Sequence, residues 1–168
     1  MTNLQQGVHF DIYDGDGTPA HFYGANGFPA NGYHHFIKLL SAEFSLSVLH
    51  NRATWPNEKM PSRINWQMYA DDLILHLDQN VAKPVIGIGH SMGASATVLA
   101  AIKRPDLFSS LVLIEPAMTS PVISKLLPFV PFSLAKKVQP IKHTVHKPQH
   151  WQSDNHFYED CRQRNVFK

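Results

Sequence analysis

A serine held between two glycines is the strongest chemical signal in this 168-residue chain, within residues 87–95, GIGHSMGAS. Ser91 follows the apolar run VIGI and precedes ASATVLAAI, which is rich in small helix-forming residues. Where a strand turns sharply into a helix, backbone meets backbone, so Gly89 and Gly93 would remove side chains that collide. The pattern predicts a nucleophile elbow, a strained turn that exposes the Ser91 hydroxyl at a helix N-terminus.

A second group that could do chemistry lies in the loop AHFYGANGFPANGY, between an apolar strand and a predicted helix. Its segment Asn26-Gly27-Phe28-Pro29 is a flexible turn of the kind that presents a backbone N–H group. We predict that the N–H groups of Phe28 and Met92 form an oxyanion hole, each contributing on the order of 3 kcal/mol to the transition state. The alternative is an ordinary glycine-rich connection between strand and helix.

An acid is predicted at Glu115, which directly follows the apolar run LVLI at the carboxyl end of its strand. Such a carboxylate could orient a catalytic base. The alternative is a loop residue that hydrogen-bonds to nearby amides.

No catalytic histidine is assigned, although the chain contains eleven histidines. They lie in or beside a predicted hairpin, on helices, at a strand end, beside Ser91 itself, or in the tail. The uneven spacing of the tail histidines and the single cysteine, Cys161, predict neither a metal site nor an internal disulfide. The eleven are His9, His21, His34, His35, His50, His76, His90, His143, His146, His150 and His156.

Alternating strands and helices must position these residues. Apolar residues recur at helical spacing after Tyr33 and after Trp66, and short continuous apolar runs separate these segments. The order predicts an α/β fold with a mostly parallel sheet and helices on both faces. Near the start, Asp14-Gly15-Asp16-Gly17 separates two apolar stretches, which predicts a β-hairpin.

The pattern changes after Pro116, so we divide the chain into a core, residues 1–118, and a second region, residues 119–168. The second region is interrupted by Pro121, Pro128 and Pro131 and shows no further strand. One helix is predicted to begin after Ser153, with this serine as its N-cap.

Composition indicates a globular protein, with 43% hydrophobic and 17% charged residues. No apolar run reaches the roughly 18 residues of a membrane span, and the first residues lack a signal peptide's basic and apolar regions. The net charge of +2 comes without a nucleic-acid-binding motif. We expect a cytoplasmic protein without a cofactor, a nucleic-acid partner or a membrane partner.

These motifs resemble the α/β-hydrolase superfamily. The resemblance implies a serine hydrolase core whose residues 119–168 begin a cap over the pocket. This sequence has Asn26 where the family has the His of its His-Gly-x-Pro loop. The change leaves the backbone donor of Phe28 in place. The segments that carry it are FDIYDGDG, GANGFP, NWQMYADDLILHLD, GHSMG and LVLIEP.

The family order of nucleophile, acid and His implies that the strands and the His that complete the site are not in this sequence. We therefore expect an incomplete α/β-hydrolase fold, inactive alone, completed by a missing segment or a second chain. The expected activity is hydrolysis of a small-molecule ester or related acyl substrate through Ser91. The alternatives are a non-catalytic binding protein and a serine-dependent lyase or perhydrolase.

Overall fold

The structure is a computed structural model. It describes residues 7–55 and 65–118, the backbone of residues 2–5, and residues 152, 153, 155, 156, 159 and 162. The chain divides into two compact units, Met1–Met118 and Thr119–Lys168. The assignment of the second unit as the start of a cap stays a prediction.

A six-stranded sheet forms the centre of the first unit, with the strand order β1-β2-β4-β3-β5-β6. The strands β4, β3, β5 and β6 are mutually parallel, whereas β1 and β2 are antiparallel to their neighbours. This confirms the predicted mostly parallel sheet. The strands are β1 Thr2–Gln5, β2 Val8–Tyr13, β3 Thr18–Tyr23, β4 Phe44–Leu49, β5 Val85–His90 and β6 Phe108–Ile114.

Helices cover both faces of the sheet, as the alternating pattern predicted. Leu73 and Leu77 of α2 and Ala96 of α3 belong to one apolar core cluster, while Ile37 of α1 belongs to a separate cluster. The Asn65 side chain starts α2 by accepting a hydrogen bond from Met68 N at 2.9 Å, as an N-cap does. The helices are α1 His34–Ser41, α2 Trp66–Asn80 and α3 Met92–Lys103.

The predicted hairpin around Asp14-Gly15-Asp16-Gly17 is wrong. Strands β2 and β3 do not pair with each other, because β4 lies between them and pairs with both. The connection instead crosses the beginning of β4, where a Cβ on Gly17 would lie 2.2 Å from Glu43 O. The Asp-Gly pairs therefore serve a close backbone crossing rather than a two-strand turn.

Sequence patterns missed β1 and the short 3₁₀ helices of the first unit. The polar segment of β1 has neither an apolar run nor an alternation that would indicate a strand. In the second unit, Ser153 Oγ accepts a hydrogen bond from His156 N at 3.2 Å, and the helical residues that follow confirm the predicted helix. The predictions on Pro121, Pro128, Pro131, Cys161, His143, His146 and His150 fall outside the described residues.

Candidate active site

The turn between β5 and α3 places Ser91 in a backbone conformation that side chains rarely adopt, with φ +53° and ψ −115°. The flanking glycines permit it. A Cβ on Gly89 would lie 2.4 Å from Ala94 Cα, and a Cβ on Gly93 would lie 2.0 Å from Tyr23 O. Both positions therefore exclude any side chain, as the spacing of the motif predicted.

Backbone hydrogen bonds hold this turn against the end of β6. Ser91 N donates to Ile114 O at 2.9 Å, and Ala117 N donates to Ser91 O at 3.3 Å. From the first turn of α3, Ser95 Oγ donates to Ala117 O at 2.8 Å. The chain that leaves β6 is thus hydrogen-bonded to the elbow, and the half-buried Ser91 stays at the carboxyl edge of the sheet.

Met92 is the first residue of α3, so its N–H group has no acceptor within the helix. The helix N-terminus also concentrates partial positive charge close to Ser91. Together these features favour an anion beside the serine, which is the environment that the oxyanion prediction for Met92 requires.

The loop after β3 places Phe28 in a tight turn. Gly27 has φ +73°, and Phe28 N donates to Ala25 O at 3.3 Å. Asn26 Oδ1 accepts a hydrogen bond of 3.5 Å from Asn51 Nδ2, while Asn51 Oδ1 accepts one from Ala53 N. The predicted Phe28 donor thus lies on a loop held from the β4 side, and its N–H makes a long hydrogen bond inside its own turn.

Glu115 lies one residue beyond β6, with φ +44° and an exposed side chain. Its neighbours Ile114 and Ala117 both bond to the backbone of Ser91. The structure therefore brings the backbone at Glu115 beside the elbow. An acid at this position stays a prediction.

The described histidines of the first unit are buried, hydrogen-bonded elsewhere, or lie on α1. His21 is fully buried, and His76 Nε2 lies 2.5 Å from Ser47 Oγ. Burial lowers the pKa of His76 to about 4 and the pKa of His21 well below its usual range, with a smaller contribution from His76 to the latter. His50 Nε2 lies 2.7 Å from Asp11 Oδ2, which gives this histidine a carboxylate partner on β2.

Tyr33 is the residue that sequence reasoning missed. The sequence pattern predicts only an apolar helix position, yet the Tyr33 hydroxyl accepts a hydrogen bond from Ala25 N at 2.9 Å and lies 2.7 Å from His90 Nδ1. These partners lie 8 and 57 residues away along the chain. The only sequence signal is an aromatic hydroxyl close after the loop GANGFPANG.

In the part of the chain that the structure describes, no group of three or more His, Cys, Asp or Glu side chains could hold a metal ion. The helices in the same residues are too short or too polar to cross a membrane.

Comparison with known proteins assigns the family. The model of the serine aminopeptidase S33 family matches residues 60–165, well over half of the chain and including the elbow. The chain belongs to the serine aminopeptidase S33 family. The resemblance to the α/β-hydrolase superfamily is thereby confirmed.

Individual relatives of this S33 family member match parts of it. A type I acyl-CoA thioesterase of Penicillium brevicompactum is 32% identical over 78 residues, which are 45% of the chain and 17% of the relative. Monoglyceride lipase of Rattus norvegicus is 40% identical over 57 residues, 31% of the chain and 18% of the lipase.

A solved structure also matches the S33 family chain. The N-formylmaleamic acid deformylase of Pseudomonas putida S16 superposes with a TM-score of 0.58 at 25% identity, over 69% of the chain and 46% of the deformylase. The chain thus spans less than half of that structure and matches about a sixth of the two curated relatives.

Proposed function

We propose that the full-length protein carrying this chain is a serine hydrolase that cleaves small-molecule esters or thioesters, with Ser91 as its nucleophile. The observation that carries this proposal is the conformation of Ser91, held at φ +53° between two glycines that admit no side chain. A fold keeps such a strained turn where the surrounding packing over-determines it, and such turns cluster at active sites.

In this mechanism the base takes the Ser91 proton as Ser91 Oγ attacks the acyl carbonyl carbon, and the carbonyl oxygen becomes an oxyanion. When this intermediate collapses, the carbonyl re-forms, the bond to the leaving alcohol or thiol breaks, and the base gives the proton to that group. Water then releases the acid from the acylated serine and restores Ser91. The N–H groups of Met92 and Phe28 donate to that oxyanion, and the N-terminus of α3 adds favourable electrostatic potential. The 3.3 Å bond from Phe28 N to Ala25 O is long, so exchanging it for an anionic acceptor gains a stronger, charge-assisted hydrogen bond.

The base that takes the Ser91 proton is proposed to come from outside the described residues of the first unit. His50 and His76 lie against Asp11 and Ser47, and His21 is buried. Glu115 is proposed as the acid that orients this base, because its neighbours on both sides bond to the elbow. Residues 119–168 are proposed as the start of the cap that selects the substrate.

The substrate class follows from the relatives. The names of both curated relatives, an acyl-CoA thioesterase and a monoglyceride lipase, specify an acyl group bound to sulfur or oxygen. Phe28, 46% exposed in the proposed oxyanion loop, offers an apolar surface beside the reacting carbonyl. The names favour an acyl ester or thioester over an amide, and the Phe28 ring favours an apolar group next to the acyl carbonyl.

The test is steady-state hydrolysis by the full-length protein of matched p-nitrophenyl esters, an acyl thioester and an aminoacyl p-nitroanilide. Ester or thioester turnover should exceed anilide turnover and fall by several orders of magnitude in Ser91→Ala. The matched control is Ser109→Ala, which removes an exposed serine of β6. Turnover that survives in Ser91→Ala would overturn the assignment of the nucleophile, and faster anilide cleavage would overturn the substrate class.

A further inference from the structure

The hydroxyl of Tyr33 joins the loop after β3 to the elbow. Its oxygen accepts a hydrogen bond from Ala25 N at 2.9 Å and lies 2.7 Å from His90 Nδ1. Ala25 begins the turn that contains Phe28, and His90 directly precedes Ser91. One side-chain atom therefore contacts the backbone of the loop that carries Phe28 and the side chain of the residue that precedes the elbow serine.

The groups involved fix the direction of the hydrogen bond between Ala25 and Tyr33. A backbone N–H only donates, so the Tyr33 oxygen is the acceptor from Ala25, and its own proton is free to be donated. Burial raises the pKa of Tyr33, although the hydrogen bond from Ala25 acts in the opposite direction, so the hydroxyl keeps this proton. With the Tyr33 O–H as donor, His90 Nδ1 is the acceptor, which is the arrangement of the Nε2–H tautomer.

The aromatic ring of Tyr33 is fixed by its surroundings. A Cβ on Gly24 would lie 2.7 Å from Tyr33 Cε2, so the ring packs directly on the backbone that leaves β3. The ring centroids of Phe22 and His90 lie 5.0 and 5.8 Å from the ring centroid of Tyr33, and both rings meet it edge to face. The hydroxyl is thus held on a rigid ring rather than on a flexible side chain.

We propose that Tyr33 is a positioning residue that sets the separation between the Phe28 and Met92 amides. The inference rests on the proposed function, because it assumes that these two amides receive the oxyanion. Tyr33 fixes the backbone of Ala25, which lies three residues before Phe28 in the same turn. On the other side it fixes His90, two residues before Met92. Loss of the hydroxyl leaves both donors in place but frees the loop to move relative to the elbow.

The experiment compares the kinetics of hydroxyl-deletion variants in the full-length protein, with acetyl and butyryl p-nitrophenyl esters. Tyr33→Phe keeps the ring and should lower kcat about 10-fold or more, with KM within about 2-fold, because the lost geometry acts on the transition state. Tyr13→Phe removes another partly buried hydroxyl, on β2, and is the control. Thermal unfolding of both variants reports any general loss of stability.

Variants of His90 give a second, independent readout. His90→Leu removes the acceptor and should lower kcat as Tyr33→Phe does. His90→Asn can place an acceptor close to the position of Nδ1 and should recover most of that loss. The kcat of the double variant Tyr33→Phe with His90→Leu should be only slightly lower than that of either single variant, since both substitutions break the same hydrogen bond.

The outcomes separate this inference from the proposed function. If Ser91→Ala is inactive and Tyr33→Phe has the wild-type kcat, the positioning role is overturned and the nucleophile assignment stands. If Ser91→Ala is active, the proposed function itself fails. If Tyr33→Phe fails to fold, the two His90 variants provide the test. Equal kcat values for His90→Leu and His90→Asn would then overturn the inference.

Discussion

Gly93 lies directly against the carbonyl end of β3, where an added Cβ would be 2.0 Å from Tyr23 O and 2.7 Å from Gly24 O. The first turn of α3 is therefore in backbone contact with the start of the loop that carries Phe28. This contact brings the elbow and the proposed oxyanion loop together, and it depends on the absence of one side chain.

The first prediction is that Gly93→Ala destabilises the protein. The methyl group would meet two backbone carbonyls that cannot move independently, so we expect a loss of at least about 1–3 kcal/mol, as for an overpacked core. Urea unfolding measures it. Gly32→Ala is the matched control, because its Cβ would be 3.9 Å from its nearest neighbour, Phe28 Cδ1. Equal stability of the two variants would contradict the proposed contact.

The second prediction concerns Glu115. If its carboxylate orients the base, Glu115→Gln should reduce kcat far more than it changes KM, because orientation matters most in the transition state. Glu43→Gln removes another exposed carboxylate, in the turn before β4, and should leave both parameters unchanged. A wild-type kcat for Glu115→Gln would place the acid further along the polypeptide.

The third prediction is a loss of stability in acid, caused by His21 and His76. Burial lowers the pKa of both, to about 4 for His76. The pKa of a histidine in the unfolded chain is about 6.5. When the pKa in the folded protein is lower, the histidine contributes its full stabilisation above about pH 6.5, and this stabilisation is lost as the pH falls. We therefore expect the free energy of unfolding to drop between about pH 6.5 and pH 4.

His21→Phe tests this origin, because among the described residues neither ring nitrogen of His21 has a hydrogen-bond partner. The phenyl ring removes the titration without breaking a hydrogen bond there, so the variant should lose less stability than the wild type between pH 7 and pH 5. His34→Gln changes an exposed histidine of α1 and should follow the wild type. Parallel profiles for all three proteins, measured by urea unfolding, would contradict this account.

The fourth prediction is that the 168-residue chain alone hydrolyses esters far more slowly than an ordinary esterase, for which kcat is about 10 per second. The structure assigns no base to Ser91 among the described residues of the first unit, and a serine that lacks a base is a weak nucleophile. The chain should also self-associate, since among the described residues β6 is an edge strand with Leu111 37%, Val112 48% and Leu113 38% exposed. A stable monomer by light scattering with turnover near 10 per second would require a base within this sequence.

The elbow was predictable because its signals are local. Gly89, Ser91 and Gly93 are close in sequence, and the strand before and the helix after them each have a recognisable pattern. Strand order was not predictable in the same way. The Asp-Gly pairs indicate a hairpin, but β4, which follows α1, inserts between β2 and β3. The pairing of β4 with two neighbouring strands outweighs the tendency of the Asp-Gly turn to form a hairpin.

The link through Tyr33 was hidden for a related reason. A tyrosine at a helix start is typical of an apolar contact, and nothing in the sequence relates its hydroxyl to His90, 57 residues away. The buried pair Ser47 and His76 was equally hidden, because its members lie on β4 and α2, 29 residues apart. Periodicity predicts which face is buried, but polar partners across that face depend on how the elements pack.

The most direct test of the central claim is to map a fluorophosphonate adduct on the full-length protein by mass spectrometry. The account predicts one rapidly formed adduct on Ser91, because only an activated serine reacts quickly. It predicts loss of the adduct in Ser91→Ala and unchanged labelling in Ser109→Ala. An adduct on a different serine, or equal labelling of Ser91→Ala and the wild type, would contradict the claim that this elbow carries the nucleophile.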